Sequence, residues 1–378
     1  MPDSRIKTSL FITLLIACVF FILGGCGSEK FVYTDNGDGT CTITGYDYDE
    51  QRGAGKVAIP RKINGLTVTT IGKKKAFFHC KSIYKLTIPG TVTTIEEGAF
   101  WICGGLDHIV IPDSVTTIEY MAFYDSTLIG DLVIPGNVAE IGDRAFACNP
   151  LNSITVSEQN ESFTSVDGVL YSKDMSVLMQ APWAIEMCFD IPDGVEIIRP
   201  GAFEGCYNLM SVTIPYGVTK IGGKAFYSLD LMNAPLPESL TEIGNKAFYS
   251  CENLGGKLSI PYNVTTIGES AFSRCDGLKG LEITGSMVTI GDEAFLFCRG
   301  LESITIQGSV DRIGNEAFSG CHRLARAEFL GDAPKDFGAE VFDDCSDDFV
   351  ITYDPAKSGW STPTYKGYPC FPKDADEG

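Results

Sequence analysis

The chain has 378 residues, of which 44% are hydrophobic and 21% are charged, so it carries enough apolar material for a sizeable core. Its formal net charge of −20 repels phosphate backbones and anionic lipid headgroups, which argues against nucleic acid as a partner. The same acidity suits an exported surface that must avoid self-association, and this explanation is favoured over a site for a charged ligand.

The N-terminal segment has the organisation of an export signal. Arg5 and Lys7 precede an uncharged stretch from Leu10 to Leu23, which leads through two glycines to Cys26. Fourteen helical residues span about 21 Å, short of the roughly 30 Å hydrocarbon core, so residues 1–25 are predicted to be a signal peptide rather than a membrane helix. Small residues before a cysteine resemble the bacterial lipobox, which implies a lipidated Cys26 and a protein anchored to the cell envelope at the cell surface. The alternative is a plain secretory signal with an incidental cysteine.

Residues 26–56 are expected to hold the anchor cysteine and an N-terminal β-hairpin cap. Two alternating runs flank the turn-forming pairs Asn36-Gly37 and Asp38-Gly39. An aspartate-rich loop also suggests calcium, but glycines occupy the alternate places where an EF-type loop needs carboxylates. The hairpin is therefore the favoured interpretation.

A short internal repeat dominates the rest of the chain. The dipeptide Ala-Phe recurs ten times, and a degenerate eleventh copy follows. The repeat phenylalanines are Phe77, Phe100, Phe123, Phe146, Phe203, Phe226, Phe248, Phe272, Phe295, Phe318 and Phe342. Their spacing is constant to within one position, except between Phe146 and Phe203, where the gap is more than twice as long. The shared pattern is I-x-I-P-x-x-V-x-x-I-G-x-x-A-F-x-x-C-x-x-L, and such a period predicts a solenoid over residues 57–352.

Each copy predicts one coil of that solenoid. The I-x-I step is typical of a short strand, proline ends its hydrogen bonding, and the Ile-Gly turn redirects the chain. Stacked coils then form a parallel sheet and bury the phenylalanines as a continuous spine. Cysteine stands three positions after the phenylalanine in eight copies, but Ser126, Asn149 and Leu229 occupy the same place elsewhere. This tolerance favours reduced, buried thiols over a stack of disulfides.

The repeat resembles the BspA-like leucine-rich-repeat family of bacterial surface proteins. The resemblance covers roughly residues 57–352 and rests on the I-P-x-x-V-x-x-I-G-x-x-A-F-x-x-C pattern. We accordingly expect an α/β-type leucine-rich-repeat solenoid of about eleven 23-residue coils, with a parallel sheet, a hairpin insertion and terminal caps. The resemblance implies a cell-surface adhesin or host-interaction protein, with a protein or glycan ligand that could come from host extracellular matrix.

The long gap between Phe146 and Phe203 predicts an insertion at about residues 157–187. Asp167-Gly168 is a turn signal between short apolar strands, so a β-hairpin that extends the sheet is expected. Tyr171 and Trp183 could be exposed there for binding; the favoured alternative is that they pack against the solenoid.

Residues 353–378 are expected to form a C-terminal cap followed by an acidic tail. Trp360, Tyr365 and Tyr368 are predicted to cover the open edge of the last coil.

A candidate binding face follows from the strand pattern, because the residue between the two strand hydrophobics points outward in every coil. This outward column is small, β-branched and nearly uncharged. Its members are Thr87, Val110, Val133, Thr155, Thr213, Ser259, Glu282, Thr305 and Glu328. Plain strand propensity explains the same composition and is the alternative.

No catalytic constellation is recognisable. The three histidines, His79, His108 and His322, lie in no metal or nucleophile motif. A carboxylate pair of the glycosidase type is left open by the many acidic residues, but nothing selects one. We therefore expect no enzyme activity, no cofactor and no metal. Two functions are predicted in order of preference: a surface protein that binds a partner, and a passive envelope component.

Overall fold

The computed structural model describes residues 30–47, 55–73 and 76–373. The predicted signal peptide, the predicted lipidation site Cys26 and the end of the acidic tail lie outside these ranges. None of the described residues forms a helix that is both long and apolar enough to cross a membrane.

The described residues form short strands joined by turns. In chain order the strands are β1 Lys30–Asp35, β2 Thr40–Asp47, β3 Gly55–Ala58, β4 Lys62–Ile63, β5 Leu66–Ile71, β6 Ile83–Thr87, β7 Thr94–Ile95, β8 His108–Val110, β9 Thr117–Ile118, β10 Gly130–Ile134, β11 Glu140–Ile141, β12 Leu151–Val156, β13 Phe163–Val166, β14 Val169–Ser172, β15 Val177–Gln180, β16 Cys188–Asp190, β17 Ile197–Ile198, β18 Ser211–Thr213, β19 Lys220–Ile221, β20 Glu242–Ile243, β21 Gly256–Ile260, β22 Thr266–Ile267, β23 Leu278–Ile283, β24 Met287–Ile290, β25 Ser303–Ile306, β26 Val310–Ile313, β27 Arg326–Phe329, β28 Asp336–Phe337, β29 Val350–Tyr353, β30 Thr364–Tyr365 and β31 Tyr368–Pro372.

These strands stack into a parallel β-solenoid of about 14 coils with a spacing of about 23 residues, which confirms the predicted repeat architecture. The number exceeds the eleven coils expected from sequence, because the solenoid also contains coils without a repeat phenylalanine. Each regular coil contributes to two parallel ladders. One ladder contains the I-x-I strands. The other contains the short strands that end in the isoleucine of V-x-x-I-G; Ile71, Ile95 and Ile118, for example, pair in register. The sequence predicted a single parallel sheet. This prediction is corrected, because the isoleucine before the Ile-Gly turn belongs to a second parallel ladder.

The α/β label is also corrected, since the described residues contain no helix. The reason lies beside the phenylalanine: Met121 and Asp125, two positions before and after Phe123, have φ of 54° and 53°. A left-handed residue at every fourth position interrupts a right-handed helix. The segment instead makes tight turns, and its amides bond to the next coil, as from Phe100 N to Ala122 O at 2.8 Å.

The repeat phenylalanines stack face to face as a buried spine. Neighbouring ring centroids lie 4.9–5.6 Å apart within each of two runs, Phe77 to Phe146 and Phe203 to Phe342. Between the runs, Ala181 takes the phenylalanine's place, because its N–H donates to Ala202 O just as that of Phe203 donates to Ala225 O. The buried side chains accordingly form two core clusters that meet at the insertion.

The cysteine position is a hydrogen-bond donor as well as a packing site. Cys251 and Cys298 donate through Sγ to the carbonyls of Phe226 and Phe272 in the preceding coil, both at 3.1 Å. Ser126 and Asn149 make the equivalent bonds, which explains why they substitute for cysteine. The twelve cysteines of the described ranges are free, and burial raises the pKa of Cys251 to about 12.

Both ends and the insertion are closed by additional strands. At the N-terminus β1 and β2 form an antiparallel hairpin, and β2 joins the ladder of V-x-x-I-G strands through β5. At the C-terminus the ring centroids of Trp360 and Phe329 lie 4.9 Å apart, and the indole N–H of Trp360 donates a hydrogen bond to Gly331 O. The insertion forms the antiparallel strands β13, β14 and β15, in which Tyr171 is buried, and Trp183 is exposed in the turn after β15. The idea of an exposed Tyr171 is therefore wrong, because its ring completes the core of the inserted coil.

Candidate functional site

The nine residues of the outward column lie on the outer face of the I-x-I strands, and their side chains are exposed or half-buried. They do not form one continuous face, because hydrogen bonding divides these strands into four separate sheets. Thr87 and Val110 pair with each other in the sheet β3-β6-β8. Val133 and Thr155 pair between β10 and β12. Thr213 lies in the two-stranded sheet of β16 and β18. The remaining four, Ser259, Glu282, Thr305 and Glu328, lie side by side from β21 to β27. The column thus presents several local surfaces.

The carboxylates in the C-terminal part of the column are paired with neighbouring side chains. Glu282 binds Lys257 Nζ at 2.6 Å and accepts a hydrogen bond from Gln307 Nε2 at 2.6 Å. The hydrogen bond from Lys257 holds the pKa of Glu282 below its usual range. Glu328 pairs in the same way with Lys373 Nζ at 2.7 Å. These carboxylates are therefore occupied, and a ligand would have to displace an existing partner.

The N-terminal part of the column is apolar and far more exposed. Val110 is 78% exposed and Val133 is 56% exposed, and Ile129 is 47% exposed directly before β10. Tyr84 adds a partly exposed aromatic ring on β6. Clustered apolar exposure of this kind is a feature of contact surfaces.

A groove of about 430 Å³ lies over β6 and β8 at this end of the column. Its lining comprises Tyr84, Lys85, Leu86, Thr87, Ile88, Asp107, His108, Val110 and Pro112. We call this the N-terminal groove. It combines an apolar floor with a few polar side chains at its edge, an arrangement typical of ligand sites, and its volume falls within their usual range.

Gly130 begins β10, next to His108 at the edge of the groove. A side chain there would lie 3.6 Å from His108 Cε1, and the glycine has a φ of +84°. Beyond it β8 and β10 do not pair as strands, although Ile129 N donates to Asp107 O at 2.8 Å. Thr87 and Val110, predicted from sequence, thus lie in the groove, whereas the roles of Tyr84 and His108 were not foreseen.

A buried ion pair that no sequence pattern indicated lies at the junction of the two cores. Arg144 binds Glu204 through two nitrogens, with 2.6 Å between Nη2 and Oε1, and both side chains are buried. Tyr124 donates its hydroxyl to Glu204 at 3.1 Å and places its ring 4.7 Å from the guanidinium. Gly201 makes room for this pair, because a Cβ there would overlap with Arg144 Cγ.

A second arginine closes the other side of the junction. The ladder of V-x-x-I-G strands stops at β11, so the carbonyl of Ile141 lacks the usual amide from a following glycine. Arg199 Nη1 donates to that carbonyl at 3.3 Å and also pairs with Asp143. Arg199 therefore replaces a hydrogen bond that the insertion interrupts, whereas Arg144 joins the two sides through side chains.

The loop considered for calcium uses its carboxylates internally. Asp35 accepts a hydrogen bond from Gly37 N at 2.8 Å, and Asp38 accepts one from Thr40 Oγ1 at 2.6 Å. Within the described ranges no group of three or more His, Cys, Asp or Glu side chains could hold a metal ion. His322 Nδ1 lies 2.9 Å from Asp344 O, and His108 borders the N-terminal groove.

Comparison with known proteins places the repeat in a defined family. The family described as the BspA type leucine rich repeat region matches residues 58–167, 187–256 and 255–354 in six copies. No match is found among curated proteins.

Several solved structures share the fold. A leucine rich cell surface protein from Faecalibacterium prausnitzii is 26% identical, with a TM-score of 0.51, over 81% of this chain and 94% of that chain. The pneumococcal vaccine antigen PcpA is 20% identical, with a TM-score of 0.58, over 82% and 93% of the two chains. A leucine-rich repeat protein from Bacteroides ovatus is 23% identical, with a TM-score of 0.51, over 93% and 100%. The latter two comparisons show the fold alone.

Proposed function

Because the chain belongs to the BspA-type leucine-rich-repeat family, we propose that it is an exported surface protein that binds a protein or glycan partner through its N-terminal groove. The observation that carries the proposal is the contrast along the outward column. Val110 and its neighbours are exposed and apolar beside a groove, whereas Glu282 and Glu328 are paired with lysines. Burial of apolar surface at the groove would drive binding, and its polar edge would orient the partner.

A location at the cell surface would suit this role. A relative of similar fold that is 26% identical is described as a cell surface protein, which is consistent with export of this chain. We further propose that Cys26 is lipidated and anchors the chain to the envelope. Two acyl chains on the cysteine would give lasting attachment, since one chain alone holds only weakly. We propose host extracellular matrix as the source of the ligand, and we propose a binding role without catalysis or nucleic acid.

A panel of immobilised extracellular-matrix proteins and glycans tests the proposal. The purified chain is expected to bind at least one component saturably, and Val110→Glu should weaken that binding at least tenfold because it places a charge in the apolar groove. Thr305→Glu is the matched control, since it adds the same charge on the same column far from the groove. Equal loss in both variants, or no saturable binding at all, would refute the groove as the site.

A passive envelope role is the alternative. The N-terminal groove argues against it, because a structural spacer needs no exposed apolar patch beside a cavity. If deletion of the protein left attachment of the cells to matrix unchanged, the passive role would be favoured.

A further inference from the structure

Three methionines occupy the same position in consecutive coils, away from the N-terminal groove. Met187 precedes β16, Met210 precedes β18, and Met232 follows one coil later. Backbone hydrogen bonds join them in register, from Met210 N to Met187 O and from Met232 N to Met210 O, both at 2.8 Å. We call them the methionine column. The chain has only eight methionines, so three in one column is a concentration.

These side chains face solvent rather than the core. Met187 is 57% exposed, Met232 is 58% exposed, and Met210 is half-buried between them. In the next coil the aligned position is Gly255, whose N–H lies 3.4 Å from Met232 O, so no side chain crowds the column on that side. Exposure of large apolar groups costs hydration free energy, and strand propensity does not favour methionine, so packing provides no reason for the column.

The geometry allows the three thioethers to meet. Adjacent strands lie about 4.8 Å apart, so the outer two Cα atoms are separated by roughly 10 Å. An unbranched methionine side chain with three rotatable bonds extends far enough for the outer two sulfurs to converge over the middle one. The backbone register thus fixes the spacing of the three side chains, and their flexibility lets the three sulfurs turn toward one ion.

The surroundings favour a cation. Glu186 directly precedes Met187, Asp190 ends β16, and Asp230 lies two residues before Met232; all three carboxylates are exposed. The chain as a whole carries a formal charge of −20. Thioether sulfur is a soft, neutral ligand that selects soft monovalent ions of the Cu(I) type over Zn²⁺, Mg²⁺ or Ca²⁺. We therefore infer that the methionine column is a surface site for a soft monovalent metal ion.

The inference is independent of the ligand groove, which lies on a different sheet. The exposed thiol of Cys188 is the obvious competitor, because it follows Met187 directly and thiolate binds soft metals more tightly. The buried cysteines compete less, since burial raises their pKa and keeps them protonated, as for Cys251 and Cys275. A test must therefore report on the methionines themselves.

NMR of the full chain labelled with ¹³C at the methionine methyl groups provides that report. Ag(I) is the probe, because it has the softness and charge of Cu(I) without redox chemistry. In the Cys188→Ser variant, the signals of Met187, Met210 and Met232 should shift together and saturate at one equivalent. The signals of Met121 and Met175 should stay unchanged and serve as internal controls.

Substitution then distinguishes a joint site from three separate ones. Met210→Leu preserves volume and should abolish the shift of the other two signals below one equivalent, whereas Met175→Leu should leave all three shifts intact. Loss of the shifts in Cys188→Ser, independent movement of the three signals, or no movement until several equivalents of Ag(I) are present would each overturn the inference.

Discussion

Replacing Phe272 with alanine is expected to destabilise the C-terminal core by about 3–5 kcal/mol. Its ring is fully buried, and ring centroids of Phe248 and Phe295 lie 5.0 and 5.3 Å away on either side. Truncation removes buried apolar surface and leaves a cavity that a rigid stack closes poorly. Because each coil contacts only its neighbours, hydrogen exchange should quicken most in the coils beside residue 272.

Phe297→Ala is the matched control for this substitution. Phe297 belongs to the same coil as Phe295 but is half-buried and packs against the guanidinium groups of Arg274 and Arg299. Its removal should cost about 1 kcal/mol, the scale of a surface cation–π contact. Chemical denaturation followed by tryptophan fluorescence and amide exchange measures both. Similar losses in the two variants would mean that the phenylalanine stack contributes no special stability.

Replacing Glu204 with glutamine is expected to cost about 3 kcal/mol or more and to separate unfolding of the two cores. The change keeps the shape of the side chain but leaves the buried guanidinium of Arg144 without its counter-charge. We expect one calorimetric transition for the parent chain and two for the variant, because this pair lies where the phenylalanine stack is interrupted.

Two further variants separate charge from packing at the junction. Glu242→Gln removes a partner from the exposed pair of Lys220 and Glu242 and should change stability by less than about 1 kcal/mol. The double replacement Arg144→Met with Glu204→Leu should recover most of the loss, because no unpaired charge stays buried. A loss that persists in the double variant would show that the ion pair itself is not what holds the junction.

Most of the fold could be predicted because the repeat is visible as a regular spacing of Ala-Phe in the sequence. A regular period that places Phe272 and its equivalents in one column leaves stacking as the simplest way to bury them. The elements that could not be predicted were those without a periodic signal in the sequence. In the coil of the insertion, Ala181 occupies the position of the repeat phenylalanine. The residues with left-handed backbone around Phe123 share no residue type. Helix was therefore expected where tight turns occur.

The site was less predictable than the fold, since it depends on neighbours that lie a whole coil away along the chain. The residues of the outward column are exposed or half-buried, but the division of the column among four sheets was not foreseen. Glu282 is occupied by Lys257 and Gln307 from the coils on either side, whereas Val110 has no such partner among the described residues. Arg144 and Glu204 are separated in sequence by the insertion, so no local pattern could reveal their pairing.

Site-specific photo-crosslinking tests the central claim that partners contact the N-terminal groove. Benzoylphenylalanine in place of Val110, and separately in place of Thr305, gives two probes on the same outward column. After exposure to the extracellular-matrix panel and illumination, an adduct is expected from position 110 and none from position 305. Adducts that form equally at both positions, or only at position 305, would contradict the account.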